Sequence, residues 1–464
     1  MVRNKLLRSN NPGSVMALVL FAIILLLLSG IGVLSLGQNT RIFSIRTAGE
    51  ITARSAADDG ITKALWQMNA YLKDDWSKCA LPYYENGTVL PNCNGATYSY
   101  VFAKASYVYY GGTLQDEYKG LIDFVTKAYP TPPPGGGDYV VESIGTYNGA
   151  VKVIYATLRL RGAGDECVIT RYTLTLKADT IVDGRDSRYP DDLTIDVLTE
   201  IGTTSKLKDT VTLFPGVTVD GNILVGVDGV PEDIPGTEGV IDIKPGVTVT
   251  GDKYPMVEEV EFPYIYPPVF TGPDTALKAK GTDLVINASW NGRYSMIDLQ
   301  NQGQGVDRPA RLIVESGDVV LHLTNTGPGK PSIDLGAGCE IQIKPGATLN
   351  LYVDGNIDAG NSMGFNNLGT PPSLKLWGNW TKDTPTTEPC QKWVLKAKGE
   401  YLGQVYAPAA AVTVDNGSEL WGAFTSYSFE MMHGGNLYYD GALREVDPTK
   451  DPLVRFVLKR WYEQ

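Results

Sequence analysis

The chain has 464 residues, and its 40 Lys and Arg against 52 Asp and Glu give a formal net charge of −12. Because no basic block interrupts this negative charge, the chain lacks the positive footprint that phosphates require, which excludes nucleic acid as a partner. The two histidines, His322 and His433, lie too far apart in sequence to suggest a His-based triad or a multi-His metal site. The length suffices for two or three domains, and the 51 Gly and 26 Tyr are typical of a β-rich, extracytoplasmic protein.

An uncharged stretch near the N-terminus predicts a membrane-spanning helix. Residues 9–40 carry no charge, and residues 14–37 are mostly Leu, Ile, Val, Ala and Gly. This run exceeds the roughly 20 residues that span a bilayer and is longer than the apolar core of a cleavable secretory signal. Arg3, Lys5 and Arg8 precede it, so the positive-inside rule predicts a single-pass protein with a cytoplasmic N-terminus and an extracytoplasmic bulk.

The segment that follows the span keeps a helical pattern. Residues 38–73 contain no Pro, and apolar residues recur at 4-3-4 spacing (Ile61, Leu65, Met68 and Leu72), which places them on one face of a helix. We therefore predict one continuous helix, part transmembrane and part extracytoplasmic, roughly 80 Å long at 1.5 Å per residue.

This layout resembles a type IV prepilin-like protein. The basic leader, residues 1–13, ends in Gly13, and Ser14, the apolar run and the amphipathic extension follow. The nearest subgroup is that of the PilX-type minor pilins and the related tip pseudopilin of type II secretion, whose helix carries an AAxxG element, here residues 56–60. The resemblance implies that a prepilin peptidase cleaves after Gly13 and that Ser14 becomes the methylated N-terminus.

The resemblance also assigns roles within the apolar helix. It places Leu25, Leu28 and Gly30 first in the membrane and later in a filament core with other pilins or pseudopilins. Major pilins carry a Glu at the fifth mature position, where this chain has Leu18, and that difference favours a minor or tip subunit. Pro12, before the cleavage glycine, is also atypical of the family.

Residues 74–185 are predicted to form a pilin-like head, so that the N-terminal module is α+β, with a small antiparallel sheet against the long helix. A Pro/Gly loop covers residues 130–137, two strands flank a turn at Asn148-Gly149, and residues 167–179 supply a third strand.

Five cysteines leave the disulfide pattern open. Cys79 and Cys93 enclose a short polar segment and are candidates for a loop disulfide, and Cys339 and Cys390 could form a second one, which leaves Cys167 without a partner. The alternative is that all five are reduced and buried, since sequence does not determine connectivity.

Repeats predict an all-β domain over residues 190–447, followed by a C-terminal tail, 448–464. Segments 214–223, 243–252 and 343–357 share a Pro-Gly turn, an alternating strand and a Gly turn. Such repeats predict a right-handed β-solenoid, with a β-sandwich as the alternative. Residues 263–274, "PYIYPPVFTGPD", are interpreted as a Pro-stiffened excursion between coils.

The end of this region resembles a domain of unassigned function that is often found behind PilX-type N-termini. The segments that carry this resemblance are residues 403–408, 417–424 and 436–444.

The chemistry-bearing residues favour a protein that is not an enzyme. A glycosidase needs two carboxyl groups that face each other across a groove, and the sequence places no pair in this way. Residues 183–192 and 354–361 carry oxygen ligands in loops, so calcium is an alternative to having no cofactor, although neither segment matches a DxDxDG loop. Trp377 and Trp380 are the candidate residues for stacking on sugars.

The predicted function is therefore structural. The chain is interpreted as a minor or tip-type pilin-like subunit of a type IV pilus or a type II secretion pseudopilus, displaying a β-solenoid surface or adhesion module. Its expected partners are the membrane, other pilins, a prepilin peptidase and surface glycans. The alternative is a signal-anchored, carbohydrate-binding surface protein that enters no filament.

Overall fold

The structure is a computed structural model, and it describes residues 12–74, 78, 83–87, 95–105, 108, 119–128, 138–189, 197–256, 259–272, 274–303, 307–327, 331–359, 362–366, 369–379, 389–395, 400–444 and 453–463. The chain divides into two compact units, Met1–Arg159 with Phe456–Gln464 and Leu160–Arg455.

The described residues include the α-helices α1 (Pro12–Asp74) and α2 (Lys119–Ala128), and the 3₁₀ helices Ala288–Trp290, Pro371–Ser373 and Gly441–Arg444. The strands up to residue 255 are β1 (Tyr83–Asn86), β2 (Thr97–Lys104), β3 (Asp138–Tyr147), β4 (Ala150–Arg161), β5 (Val168–Leu176), β6 (Ile181–Arg185), β7 (Glu200–Thr203), β8 (Val211–Leu213), β9 (Thr218–Val219), β10 (Asn222–Val225), β11 (Ile241–Ile243), β12 (Thr248–Val249) and β13 (Lys253–Pro255). The later strands are β14 (Thr275–Lys280), β15 (Leu284–Asn287), β16 (Gly292–Gln300), β17 (Arg311–Ser316), β18 (Asp318–Leu323), β19 (Ile333–Leu335), β20 (Glu340–Ile343), β21 (Thr348–Val353), β22 (Ile357–Asp358), β23 (Gly364–Phe365), β24 (Leu374–Gly378), β25 (Gln391–Leu395), β26 (Glu400–Val414), β27 (Glu419–Met431), β28 (Asn436–Asp440) and β29 (Arg455–Glu463).

The first unit places the C-terminal half of α1, from Gly49 onward and called the outer half below, against an antiparallel sheet. The sheet has the order β1-β2-β3-β4-β29. β3 and β4 form a hairpin whose turn residues, Asn148 and Gly149, have φ values of 46° and 82°. Positive φ at both central positions matches the twist of a two-residue hairpin, which confirms the predicted turn. α2 covers the opposite face, where Leu121, Phe124 and Val125 join a buried apolar cluster.

The second unit is built from parallel strands whose repeats lie in register. Thr218 of β9 pairs with Thr248 of β12, so two of the repeats recognised in the sequence are neighbours in the sheet. Alternate residues point inward and form buried apolar columns, one of which consists of Leu321, Leu351, Leu376, Val405, Phe424 and Val168. Each such side chain contributes about 1.5–3 kcal/mol on burial.

The predicted fold class of this unit, a right-handed β-solenoid with a β-sandwich as the alternative, is wrong. Within one 24-stranded sheet, the pairings close a barrel of eight parallel strands: β16, β18, β21, β24, β26, β25, β22 and β19. The long strands β16 and β26 close the ring, because each pairs with one neighbour through its first half and with another through its second half. The repeats encode alternation and turns, and these do not specify whether the strands close on themselves.

The strand order does not follow the chain. β5 pairs on one side with β27 and on the other with β7 and β8. β5 and β6, which we predicted within the head (74–185), therefore belong to the second unit, and β29, predicted within the tail, is an edge strand of the first. The predicted limits of the head and tail do not coincide with the limits of the two units.

A segment without regular structure, residues 259–272, covers the outer face of three strands, and we call it the strap. Its Phe262 and Ile265 pack on Tyr352, Trp377 and Tyr406, which project outward from β21, β24 and β26. The Tyr406 hydroxyl also donates a hydrogen bond to the Pro263 carbonyl, at 2.9 Å. Most of the predicted excursion, residues 263–274, lies in the strap.

Candidate functional site

The N-terminal half of α1, called the inner half below, exposes an apolar surface over residues 19–36. Leu25 and Leu28 are 49% and 61% exposed, and a Cβ atom added to Gly30 would meet no atom within 4 Å. Gly13, Ser14 and Leu18 lie in the first turns of the same helix. In the described part of the chain, α1 is the one helix that is long and apolar enough to cross a membrane, judged by length and composition. It fits a single-pass membrane anchor.

The outer half of α1 is joined closely to β3 through small residues. A Cβ atom added to Gly145 would lie 1.9 Å from the Ala53 carbonyl oxygen, and one added to Gly60 would lie 2.1 Å from Ser143 Oγ. Ala56 and Gly60, the ends of the AAxxG element, are buried in this contact.

The apolar stripe predicted on the same half of the helix is only partly buried. Ile61 and Met68 are buried, whereas Leu65 and Leu72 are half-buried. Ala53, Ala57 and Ala64 are fully buried beside them. Alanine carries a weak apolar signal, so the 4-3-4 pattern does not mark these three positions, although Ala57 belongs to the AAxxG element.

Trp377, a candidate residue for stacking on sugars, is buried in the structure. It is 1% exposed, because the strap covers it and its ring lies between those of Tyr352 and Tyr406, with centroid distances of 6.3 and 6.1 Å. Trp380, its predicted companion, lies outside the described residues.

A half-exposed aromatic pair lies elsewhere on this unit. The ring centroids of Trp421 and Tyr438 are 4.6 Å apart, and the Arg185 guanidinium lies 4.6 Å from the Tyr438 ring.

Cys339 and Cys390, one of the two candidate disulfide pairs, are not bonded to each other in the structure. Cys339 is a buried thiol in the apolar core, and burial raises its pKa. Cys390 precedes β25, where its backbone N–H donates to the Ala409 carbonyl. The other proposed bridge, Cys79–Cys93, lies outside the described residues.

The candidate calcium ligands have protein partners. Asp186 pairs with Arg188, whose side chain holds the pKa of the Asp186 carboxyl below its usual range. Asp183 lies 3.7 Å from Arg185. Among the residues that the structure describes, no group of three or more His, Cys, Asp or Glu side chains is arranged to hold a metal ion.

A polar cluster that sequence analysis missed surrounds Asp354. His322 Nε2 lies 2.9 and 3.0 Å from the two Asp354 oxygens, and Asn379 Nδ2 donates to Oδ1 at 2.6 Å. Tyr264 of the strap forms a hydrogen bond with Asn379, and burial raises the pKa of its phenol. His322 pairs with Tyr352 on the adjacent strand, so the parallel register brings His322 next to Asp354, which lies 32 positions later in the chain. This cluster ties the strap to the sheet.

Comparison with known proteins identifies one sequence family in part of the chain. Residues 309–446 match a domain of unknown function, DUF7305. This range includes the three segments on which the predicted resemblance to a domain of unassigned function rests. No curated protein matches the chain.

Three solved structures are similar at low identity. The competence-associated pilin ComZ from Thermus thermophilus has 13% identity and a TM-score of 0.25, covering 90% of this chain and 97% of that chain. Ice-binding proteins from the Antarctic ascomycete Antarctomyces psychrotrophicus and from Shewanella frigidimarina each have 12% identity, with TM-scores of 0.26 and 0.24. Both similarities cover 60% of this chain, and they cover 96% of the Antarctomyces protein and 94% of the Shewanella protein. Similarities of this size do not identify a function.

Proposed function

We propose that this chain is a membrane-inserted, pilin-like structural subunit that carries its parallel β unit outside the membrane. The observation that supports the proposal is α1, one continuous helix with two different surfaces. Its inner half exposes a continuous apolar stretch, whereas its outer half is packed on the head sheet. An apolar surface of this length requires cover, and lipid or neighbouring apolar helices can provide it.

The finer assignment is to a minor or tip-type subunit of a type IV pilus or a type II secretion pseudopilus. Leu18 supports it, because an acidic side chain in lipid is costly unless a neighbouring subunit pairs with it, and residues 9–40, the stretch assigned to the membrane, carry no acid. In this proposal a prepilin peptidase cleaves after Gly13, and Leu25, Leu28 and Gly30 contact other pilins.

The β unit has a display role rather than a catalytic one in this proposal. The predicted ligand-binding Trp377 is a structural residue under the strap, and Asp354 bonds to His322 and Asn379. A second candidate function, glycan binding by an anchored protein outside any filament, is favoured by the half-exposed pair Trp421 and Tyr438.

The test is mass spectrometry of the N-terminus after expression with an active prepilin peptidase. A mature chain that begins at N-methyl Ser14 is the expected result, and Gly13→Leu should leave the leader attached. Gly37→Ala is the matched control, since a methyl group there meets no atom within 4 Å. An intact N-terminus in the wild-type chain would favour the anchored alternative, and recovery in the soluble fraction would contradict both.

Glycan binding is tested separately with Trp421→Ala in the full-length protein. Loss of retention on a glycan surface in this variant, with Trp66→Ala on α1 retained, would support the second function. Equal retention of both variants would count against it.

A further inference from the structure

A cavity of about 390 Å³ lies between α2 and the sheet face opposite α1 in the first unit. Its floor is a row of side chains across four strands: Tyr84, Val101, Glu142 and Tyr155 are neighbours in the pairing register. The volume falls within the range of about 300–1,000 Å³ that is typical of small-molecule sites. Neither the display role nor filament assembly uses this cavity.

Glu142 is an acidic group in an apolar setting at the cavity floor. Glu142 is 5% exposed, and its carboxyl group forms a hydrogen bond with the Tyr155 side chain. Desolvation raises the pKa of the Glu142 carboxyl, and the charge of Asp123 on α2 adds to this effect. Among the described residues, no Lys, Arg or His forms an ion pair with it. A buried carboxylate without a counter-ion is costly, so the site favours a cation.

The walls of the cavity are aromatic and partly fixed. The Tyr155 ring stacks on Phe124 with centroids 4.6 Å apart and an interplanar angle of 9°. Tyr84 is 43% exposed at the other end of the row, where a ligand could reach it. Aromatic faces attract cations, and they also pack against an alkyl chain.

The backbone of α2 leaves room above the carboxyl group at one position. A Cβ atom added to Gly120 would lie 1.9 Å from Glu142 Oε2 and 3.0 Å from the Tyr155 hydroxyl. Glycine is therefore the residue that permits α2 to approach the acid this closely, and any side chain at position 120 would displace the Glu142 carboxyl.

We propose that this cavity binds a primary ammonium group, with the Glu142 carboxylate as its counter-ion and the rings of Tyr84 and Tyr155 beside it. An ammonium ion forms charge-assisted hydrogen bonds to a carboxylate, and its alkyl chain fills the apolar space over Val101 and Val153. The ammonium belongs either to a free alkylamine or to a lysine side chain.

The experiment is saturation-transfer NMR on the full-length protein in nanodiscs, with empty nanodiscs as the blank. The probes are n-butylammonium, N-acetyl-lysine methylamide and neutral butan-1-ol. Saturable binding of n-butylammonium that strengthens as pH rises is expected, because ionised Glu142 is the binding form. Binding of the lysine derivative as well would assign the site to a lysine side chain, and binding of butylammonium alone would assign it to a free amine.

Two variants and a control make the result specific. Glu142→Gln, which retains the shape, should raise the Kd for n-butylammonium at least about tenfold, as expected for loss of a charge-assisted hydrogen bond. Tyr84→Leu, at an exposed position, should weaken binding about threefold through the lost cation–π contact. Glu85→Gln, on the opposite face of β1, should leave binding unchanged. Absence of saturable amine binding to the wild type, or an unchanged Kd in Glu142→Gln, would overturn the proposal.

Discussion

Substituting Gly145 by Ala tests whether the close contact between α1 and β3 stabilises the first unit. The added methyl carbon would lie 1.9 Å from the Ala53 carbonyl oxygen and 2.6 Å from the Ala57 nitrogen, and ordinary contact begins near 3.4 Å. Both atoms belong to the helix backbone, so no side chain can rotate away, and α1 must move from the sheet. Overpacking of this kind costs about 1–3 kcal/mol, and the better strand preference of Ala recovers less than about 1 kcal/mol of it. Because both contacts are far shorter than any normal Cβ contact, the cost should lie at the upper end of that range, and we expect a net loss near 2 kcal/mol.

Hydrogen–deuterium exchange is the suitable assay, because the chain has two units and a single unfolding free energy would not describe it. A loss of about 2 kcal/mol should accelerate exchange of amides in residues 138–161 roughly 30-fold, while residues 419–431 of the second unit keep the wild-type rate.

Gly49→Ala, on the α1 side of the contact between helix and sheet, provides the matched control, because its methyl group would lie 3.8 Å from the Ala150 Cβ, an ordinary contact. This variant should exchange at the wild-type rate or more slowly, since Ala is favoured over Gly in a helix by about 1 kcal/mol. Unchanged or slower exchange in Gly145→Ala would refute the close-packing argument.

Three further outcomes follow from buried and charged side chains. Trp377→Ala should destabilise the second unit by about 3–5 kcal/mol in denaturant unfolding, since it removes a fully buried ring beneath the strap; a loss below 1 kcal/mol would contradict that packing. Glu142→Gln should stabilise the first unit at pH 7. Burial raises the pKa of Glu142 in the folded state, so the stability of the wild type falls as pH rises above the ordinary pKa near 4.5. The stability gained by Glu142→Gln should therefore vanish below pH 4.5. Arg188→Met should show the opposite pattern, because Arg188 lowers the pKa of Asp186: the wild type should be more stable at neutral pH, and the difference should disappear as pH falls below about 4. Thermal scans across pH 3–7 measure both, and a pH-independent difference would contradict the assigned charges.

Local patterns in the sequence predicted the elements whose contacts are close in the chain. Helix α1 follows from the uncharged run and the absence of Pro, and the β3–β4 hairpin follows from Asn148-Gly149, which tolerates positive φ. The Pro-Gly repeats also identified segments that pair in register, such as those containing Thr218 and Thr248.

Partners distant in sequence could not be predicted, because alternation shows which face a side chain occupies but does not identify the neighbouring strand. Residues 168–176 have the alternating pattern of a strand, and nothing local indicates that it pairs with β27 rather than with β4. The burial of Trp377 depends on Ile265 and the rest of the strap, which lie more than 100 residues earlier in the chain. The Glu142 cavity also escaped prediction, since its acid lies in a strand otherwise typical of a buried sheet.

The position of β5 between β27 and β7 has a consequence for how the chain folds. β5 is made early in the chain, yet one of its two edges stays unpaired until residues 424–431 are available. Closing so long a loop costs conformational entropy before the stabilising contacts between β5 and β27 form. Folds rich in contacts between residues distant in sequence therefore form slowly. Until then, the edge of β5 exposes a row of backbone groups that could pair with another chain. The second unit therefore cannot complete itself strand by strand as the chain emerges, and its C-terminal strands determine when the sheet is protected from aggregation.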